Sequence, residues 1–98
     1  MFDKMKQLME LKKQADELKR VLEAEVLEIN EVRGIKIVVN AAQSFRSIEI
    51  DENLLTPQNK NRIQMDLIRS INTAIKKSQQ IQAQKARGIT GLNIPGLT

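Results

Sequence analysis

The sequence of 98 residues contains no cysteine and no histidine. Without cysteine there are no disulfides and no thiolate metal ligands. Without either residue, zinc, copper and haem sites lose their usual ligands, and catalytic triads lose their base. Glu49 and Asp51 stand two residues apart on one strand, but no base or pocket accompanies them. We therefore expect no metal, no cofactor, no small-molecule substrate and no enzymatic activity.

Aromatic residues are almost as scarce, since Phe2 and Phe45 are the only ones. Proteins that bind single-stranded nucleic acid usually stack its bases on aromatic rings, so this composition argues against that mode of binding. No stretch reaches the roughly 18 apolar residues of a membrane span. Charges at Asp3 and Lys4 occupy the place where a signal peptide needs apolar residues. The expectation is a soluble, cytoplasmic protein that does not bind membranes.

Positive charge is concentrated in the second half of the chain. Residues 1–52 hold nine Lys or Arg against eleven Asp or Glu, a net charge of −2. Residues 53–98 hold seven Lys or Arg against one acid, Asp66, a net charge of +6. Such a bias is typical of proteins that bind polyanions, although a merely solubilised surface has the same composition.

The first segment has the period of an α-helix over residues 3 to about 24. Its apolar positions recur at alternating spacings of three and four, without an intervening Gly or Pro. This stripe suits either a short coiled-coil seam or a helix that lies on a sheet. We expect it to form a seam in the core or in a dimer interface, and its members are Leu8, Leu11, Ala15, Leu18 and Leu22.

The middle of the chain has the period of β-strands. Residues 25–31, 35–41 and 45–51 are the candidates, with turns at Gly34 and at residues 41–44. Connections this short predict an antiparallel meander. One face of the second strand should carry Ile35, Ile37, Val39 and Ala41, and one face of the third should carry Ile48 and Ile50. Three strands leave two open edges, which pairing across a dimer would cover.

A second long helix should begin at or next to Pro57, with a break near residues 57–60 left open, and run to about Arg87. Gly88 should end it. The expected organisation is one α+β domain over residues 1–87, followed by a flexible tail over residues 88–98 that contains three of the four Gly. Leu92, Ile94 and Leu97 could dock that tail on a partner subunit.

Rows of cations follow the outward faces of both helices. On the second helix, residues spaced by seven lie opposite the apolar face, and we expect no acid to interrupt this row. A row of this kind has the geometry to follow a phosphate backbone. On the first helix, Glu10 and Glu17 flank a similar row and should partly neutralise it. The candidate DNA-binding residues are Arg62, Arg69, Lys76, Lys77 and Arg87 on the second helix, and Lys6, Lys13 and Arg20 on the first.

The order of elements resembles that of the YbaB/EbfC family of bacterial nucleoid-associated proteins, over nearly the whole chain. The most specific likeness lies in residues 36–43 (KIVVNAAQ) and 47–55 (SIEIDENLL). Residues 5–19 resemble the family's first helix, and residues 94–97 (IPGL) its tail. The family commonly has Gly where this chain has Ala41.

The resemblance implies a homodimer with a shared central sheet and projecting helices. Such a dimer binds double-stranded DNA with limited sequence specificity and acts in nucleoid organisation or gene regulation. Two alternative hypotheses remain open. The protein is a protein-interaction scaffold or chaperone-like clamp, or it attaches to an anionic membrane surface. A clamp would offer apolar tips, and membrane attachment would need apolar residues that the fold does not use.

Overall fold

The structure, a computed structural model, describes residues 2–90, with side chains described for residues 3–88. Helix α1 spans Phe2–Ala24 and is followed by strands β1 (Val26–Ile29), β2 (Ile35–Asn40) and β3 (Phe45–Ile50). Two single-turn 3-10 helices, Glu52–Leu54 and Pro57–Asn59, lead into helix α2 (Lys60–Thr90). The predicted α+β order and the predicted break before the long helix are confirmed.

The three strands form one antiparallel sheet in the order β1-β2-β3, as the short connections predict. On β2, Ile37 lies opposite Ile29 of β1 and Ile48 of β3. A register irregularity between Val38 and Val39 places Val39 opposite Phe45. Phe45 and Ile48 therefore belong to the same face of the sheet as Ile37.

Each of the two tight turns contains one residue with a left-handed backbone. Gly34 has a φ of 92° and accepts a 2.8 Å hydrogen bond from the amide of Asp51. In the second turn the left-handed residue is Gln43, with a φ of 64°. Ala41 is fully buried, and its amide donates to the carbonyl of Glu25 over 2.9 Å. The turn thus needs no glycine at position 41.

The core lies between α2 and the first two strands. Ile29, Ile35, Ile37, Val39 and Ala74 are buried and pack together. Ile35, Ile37, Val39 and Ala41 share the buried face of β2 that the alternation predicts. On α2, Ser70, Ala74 and Ser78 recur every four residues and are fully buried. Such small side chains allow the helix to lie close to the sheet.

Strand β3 is covered less than the sequence predicts. Ile50 is half-buried and packs against the core, but Ile48 on the same face is 47% exposed. The reason is the position of α2, which packs mainly against β1 and β2. The apolar face of β3 therefore extends past the helix that buries the rest of the sheet.

Helix α2 passes through Gly88 and continues to Thr90, so the predicted end at Gly88 is wrong. A glycine inside a helix costs only about 1 kcal/mol relative to alanine, which is too little to end a helix by itself. Of the predicted tail, residues 91–98 lie outside the described residues. Within residues 2–90, none of the helices combines the length and the apolar composition needed to cross a membrane.

Candidate nucleic-acid interface

The α2 row consists of Arg62, Arg69 and Lys76, and all three side chains are exposed. Ala74, by contrast, is fully buried against the sheet. At about 100° per residue, the row lies on the side of the helix opposite Ala74. Successive members are seven residues apart, which corresponds to about 10 Å along the helix axis. The structure thus places these cations in line on the surface.

Two members of the α2 row have acidic neighbours, so the expectation of an uninterrupted row is wrong. Arg62 Nε lies 3.6 Å from Asp66 Oδ2, one helical turn further on. Arg69 Nε lies 3.5 Å from Glu31 Oε1, which belongs to the connection between β1 and β2. The two arginine side chains remain 61% and 68% exposed. Exposed ion pairs contribute only about 0–1 kcal/mol, so a phosphate group can replace either carboxylate.

The remaining α2 candidates lie beside this row or beyond it. Lys76 and its neighbour Lys77 are both exposed, and Arg87 near the end of the helix is half-buried. Among the described side chains, none of these three has an acidic partner within 4.0 Å. Cations near the carboxyl end of a helix are favoured by the helix dipole, which suits Arg87.

The α1 row consists of Lys6, Lys13 and Arg20, and all three are exposed. Glu10 and Glu17 flank this row along the helix, but the ion pairs found among residues 3–88 involve none of these five residues. Long side chains on a helix surface keep their rotational freedom unless a close partner holds them. Among residues 3–88, ion pairs thus involve the α2 row and not the α1 row.

Two further exposed cations, Lys12 and Arg46, are absent from the candidates that the sequence indicates. Lys12 joins Lys13 and Arg20 around a shallow hollow that also includes Met9 and Asp16. The consecutive lysines at positions 12 and 13 were the available signal, since they widen the basic face by about 100°.

The second missed cation is Arg46, on β3. Its guanidinium Nη2 lies 3.5 Å from the carbonyl oxygen of Glu23, at the end of α1. No spacing in the sequence indicates this contact, because 23 residues separate the two partners.

The carboxylates at positions 49 and 51 are occupied by structural contacts. Glu49 Oε2 lies 3.2 Å from Lys36 Nζ across the sheet, and this hydrogen bond raises the pKa of Lys36 above its usual value. Asp51 accepts a 3.1 Å hydrogen bond from the amide of Asn53 and caps the first 3-10 helix. Within the part of the chain that the structure describes, no three potential metal ligands form a cluster.

Comparison with known proteins gives a consistent family assignment. The model of the YbaB/EbfC DNA-binding family matches residues 1–92. A nucleoid-associated protein from Syntrophobacter fumaroxidans is 30% identical over 98% of this chain and 89% of its own length. A nucleoid-associated protein from Myxococcus xanthus is 29% identical over 96% of this chain and 91% of its own length.

The fold has a counterpart among solved structures. An uncharacterized protein from Helicobacter pylori superposes with a TM-score of 0.67 and 19% identity, over 87% of this chain and 98% of that one. At this identity the likeness concerns the fold alone. With a family model that spans almost the whole sequence, the chain belongs to the YbaB/EbfC DNA-binding family.

Proposed function

We propose that this protein is a homodimer that binds double-stranded DNA through the outward faces of α1 and α2. It acts with limited sequence specificity in nucleoid organisation or gene regulation, within the cytoplasm. The observation that carries the proposal is the α2 row of Arg62, Arg69 and Lys76, three exposed cations in line on one continuous helix. Family membership identifies the polyanion as DNA.

Limited specificity follows from the kind of contact that the rows can make. Regularly spaced cations on a straight helix are suited to phosphates, which recur along any duplex. Phosphate contacts fix the position of a protein on DNA but carry no sequence information. The scarcity of aromatic side chains leaves no stacking platform for unpaired bases. These features favour duplex DNA of any sequence over single strands.

The uncovered face of β3 supports the proposed dimer. Phe45 is 40% exposed and Ile48 is 47% exposed, yet both belong to the face of the sheet that is buried elsewhere. Strand β3 is also an edge strand, whose outer backbone groups have no partner strand among residues 2–90. A second copy would cover both the apolar side chains and the open edge, and it would double the number of cations.

A comparison of two charge-removing variants tests the DNA-binding surface. In the α2 variant Arg62, Arg69 and Lys76 become Gln, and in the α1 variant Lys6, Lys13 and Arg20 become Gln. Each variant removes six cations from a dimer, so duplex affinity should fall by at least tenfold and depend less on salt. Because no ion pair among residues 3–88 involves the α1 row, the α1 variant should lose at least as much affinity as the α2 variant.

The matched control keeps the charge of the α2 row, with Arg62→Lys, Arg69→Lys and Lys76→Arg. It should bind duplex DNA nearly as well as the parent. Circular dichroism should show the same helix content in all variants, because exposed positions of this kind change stability by about 0.5 kcal/mol or less. If both Gln variants bind like the parent, the rows are only solvated surface and the proposed interface is wrong.

One observation favours the second candidate, a protein-interaction clamp. The amino-terminal half of α1 exposes four large apolar side chains, and a clamp needs apolar tips of this kind. Their exposed fractions lie between 62% and 71%, and they are Met5, Leu8, Met9 and Leu11. A clamp of this kind would suppress the aggregation of an unfolded test protein at stoichiometric amounts, whereas a DNA-binding dimer has no such activity.

A further inference from the structure

A groove lies where the carboxyl end of α1 meets the turn between β2 and β3. Its apolar lining includes Leu18 and Leu22 of α1 and Ala42 of the turn. Two cations also line it, Lys19 from α1 and Arg46 from β3. Its volume of about 690 Å³ is within the range of small-molecule sites. The groove is therefore large enough for a phosphate group and the sugar attached to it.

An irregularity of the sheet directs Arg46 toward this groove. Phe45 and Ser47 pair with consecutive residues of β2, so Arg46 between them stands opposite no residue of that strand. An extra residue of this kind is a β-bulge, which turns a side chain away from its regular direction. The guanidinium of Arg46 consequently reaches the end of α1, with Nη2 3.5 Å from the carbonyl oxygen of Glu23.

Hydrogen bonds hold the elements around the groove together. Asn40 is 2% exposed, and its Nδ2 donates to the carbonyl of Glu23 over 3.3 Å. Its Oδ1 accepts a 2.9 Å hydrogen bond from the amide of Ser44. Gln82 of α2 donates to the carbonyl of Ala41 over 2.8 Å. Because these bonds join α1, the turn and α2, the two cations stand on elements whose relative positions are held.

Both cations retain most of their capacity to bind an anion. A guanidinium has five N–H donors, and the contact with Glu23 uses one of them at a long distance. Arg46 and Lys19 are exposed, and no ion pair among residues 3–88 involves either of them. Among the described residues that line the groove, Glu23 alone is acidic. Positive charge therefore exceeds negative charge there, which favours an anionic ligand.

We propose that the groove binds a phosphate group of the DNA backbone, which Arg46 and Lys19 contact together. This site rests on the proposed DNA binding and adds a contact made by the sheet to those made by the helix rows. The planar guanidinium donates two parallel hydrogen bonds to the phosphate, and the ammonium group of Lys19 adds a second charge. Sugar carbons next to the phosphate lie against the apolar lining. A phosphate held in this way fixes the duplex relative to the end of α1.

Replacement of either cation tests the site. Arg46→Gln and Lys19→Gln should each lower the affinity for a random-sequence duplex roughly tenfold, because a charge-assisted contact to phosphate is lost. The slope of log K against log salt should become less steep by up to about 1 for each groove. Arg33→Gln is the matched control, since it removes one exposed arginine from the opposite end of the sheet. It should change affinity by about twofold or less, because salt screens a distant exposed charge.

The double variant Arg46→Gln/Lys19→Gln tests whether the two cations hold the same phosphate. Once one cation is replaced, the other holds the phosphate less closely, so the double variant should lose clearly less affinity than the product of the two single losses. In the control pair Arg46→Gln/Lys6→Gln the losses should multiply, because Lys6 lies about 20 Å from Lys19 along α1. Losses that multiply in the first pair would mean that the cations contact separate phosphates, and the groove site would be wrong.

Arg46→Lys separates the charge of this residue from its geometry. Lysine keeps the charge but cannot donate two parallel hydrogen bonds, so the salt slope should stay while affinity falls severalfold. Circular dichroism should show the same helix content in all variants. Lys19 lies outside the sheet, so Lys19→Gln still tests the site if Arg46→Gln does not fold. Full affinity in both Arg46→Lys and Lys19→Gln would overturn the proposal.

A free phosphate compound is the other source of the same chemistry. Random-sequence duplex should shift the amide NMR signals of residues 19–23 and 42–46 in the parent but not in Arg46→Gln. Inorganic pyrophosphate at the same micromolar concentration should leave these signals unchanged. Equal or larger shifts with pyrophosphate would mean that the groove takes a free phosphate compound, which would overturn the proposal.

The same titrations distinguish failure of this site from failure of the proposed function. If the parent binds duplex with a steep salt dependence and Arg46→Gln binds like Arg33→Gln, the proposed function stands and the groove site is wrong. If the parent does not bind duplex DNA, both are wrong.

Discussion

At the scale of single residues, the fold depends most visibly on one glycine. Gly34 has a φ of 92°, and a Cβ atom added there would lie 2.6 Å from Cδ1 of Leu54. Leu54 in turn packs against the core. Glycine at position 34 is therefore needed twice. It allows the backbone angle of the turn between β1 and β2, and it leaves room for the first 3-10 helix to pack.

We expect Gly34→Ala to destabilise the protein by roughly 1–3 kcal/mol, the usual cost of holding a non-glycine residue at such a backbone angle. Gly88→Ala is the matched control, because Gly88 lies in α2 and an added Cβ would meet no described atom within 4 Å beyond its chain neighbours and the adjacent helix backbone. That change should be neutral or stabilise by up to about 1 kcal/mol. Urea unfolding followed by circular dichroism measures both. Equal midpoints for the two variants would contradict this account of the turn.

Residue-scale features were predictable from the sequence only where their cause is local. The turn at Gly34 could be predicted from one residue type between two strand patterns. The pair of Arg62 with Asp66 was visible in their spacing of four. The pair of Arg69 with Glu31 was not, because it joins residues 38 apart that meet only after the sheet packs on α2. Local patterns carry no information on such contacts.

At the scale of elements, α2 holds the molecule together because it contacts both the sheet and α1. Toward the carboxyl end of α2, Gln82 holds the helix close to the sheet. Its side-chain amide donates a 2.8 Å hydrogen bond to the carbonyl of Ala41. Ala41 is fully buried, so its carbonyl has little access to water. This bond connects α2 to the turn between β2 and β3.

Gln82→Ala should destabilise the protein by about 1–3 kcal/mol, because the change leaves a buried carbonyl without its partner. Gln80→Ala is the control, since Gln80 is exposed on the same helix. It should change stability by about 0.5 kcal/mol or less. Thermal unfolding of both variants provides the measurement. If Gln82→Ala unfolds like Gln80→Ala, the bond does not anchor α2.

Element boundaries followed from the sequence to within one or two residues for the strands, because each hydrophobic period stops at a turn residue. The sequence did not predict which parts of each element would be buried. Leu8 and Leu18 occupy equivalent positions in the α1 stripe, yet only Leu18 packs against α2. Ile48 alternates like a core residue, yet α2 does not cover it. Both outcomes depend on where α2 lies and where it ends, which periodicity does not encode.

At the scale of the whole molecule, the chain is more extended than a compact domain of its length. Its radius of gyration is 18.4 Å, whereas a compact domain of this length has about 13 Å. Long helices and a three-stranded sheet leave apolar surface at the edge of β3. The proposed homodimer is the arrangement that buries this surface.

Phe45→Lys/Ile48→Lys should convert the dimer into monomers at micromolar concentration, because it places charges on the apolar face of β3. Light scattering should change from about twice the chain mass of 11.2 kDa to that mass itself. Ser47→Lys is the control, since Ser47 lies opposite Val38 on the other face of β3. It should leave the dimer intact. A parent protein that already has the mass of one chain would refute the proposed dimer.

The salt dependence of duplex binding tests the central claim, that exposed cation rows bind the DNA backbone. The measurement is fluorescence anisotropy with one random-sequence duplex, and with its single strand, over a series of salt concentrations. If a dimer neutralises about four to six phosphates, log K should fall against log salt with a slope near −4 to −5. Duplex should bind at least as tightly as the single strand. A flat salt response, or a clear preference for the single strand, would contradict the account.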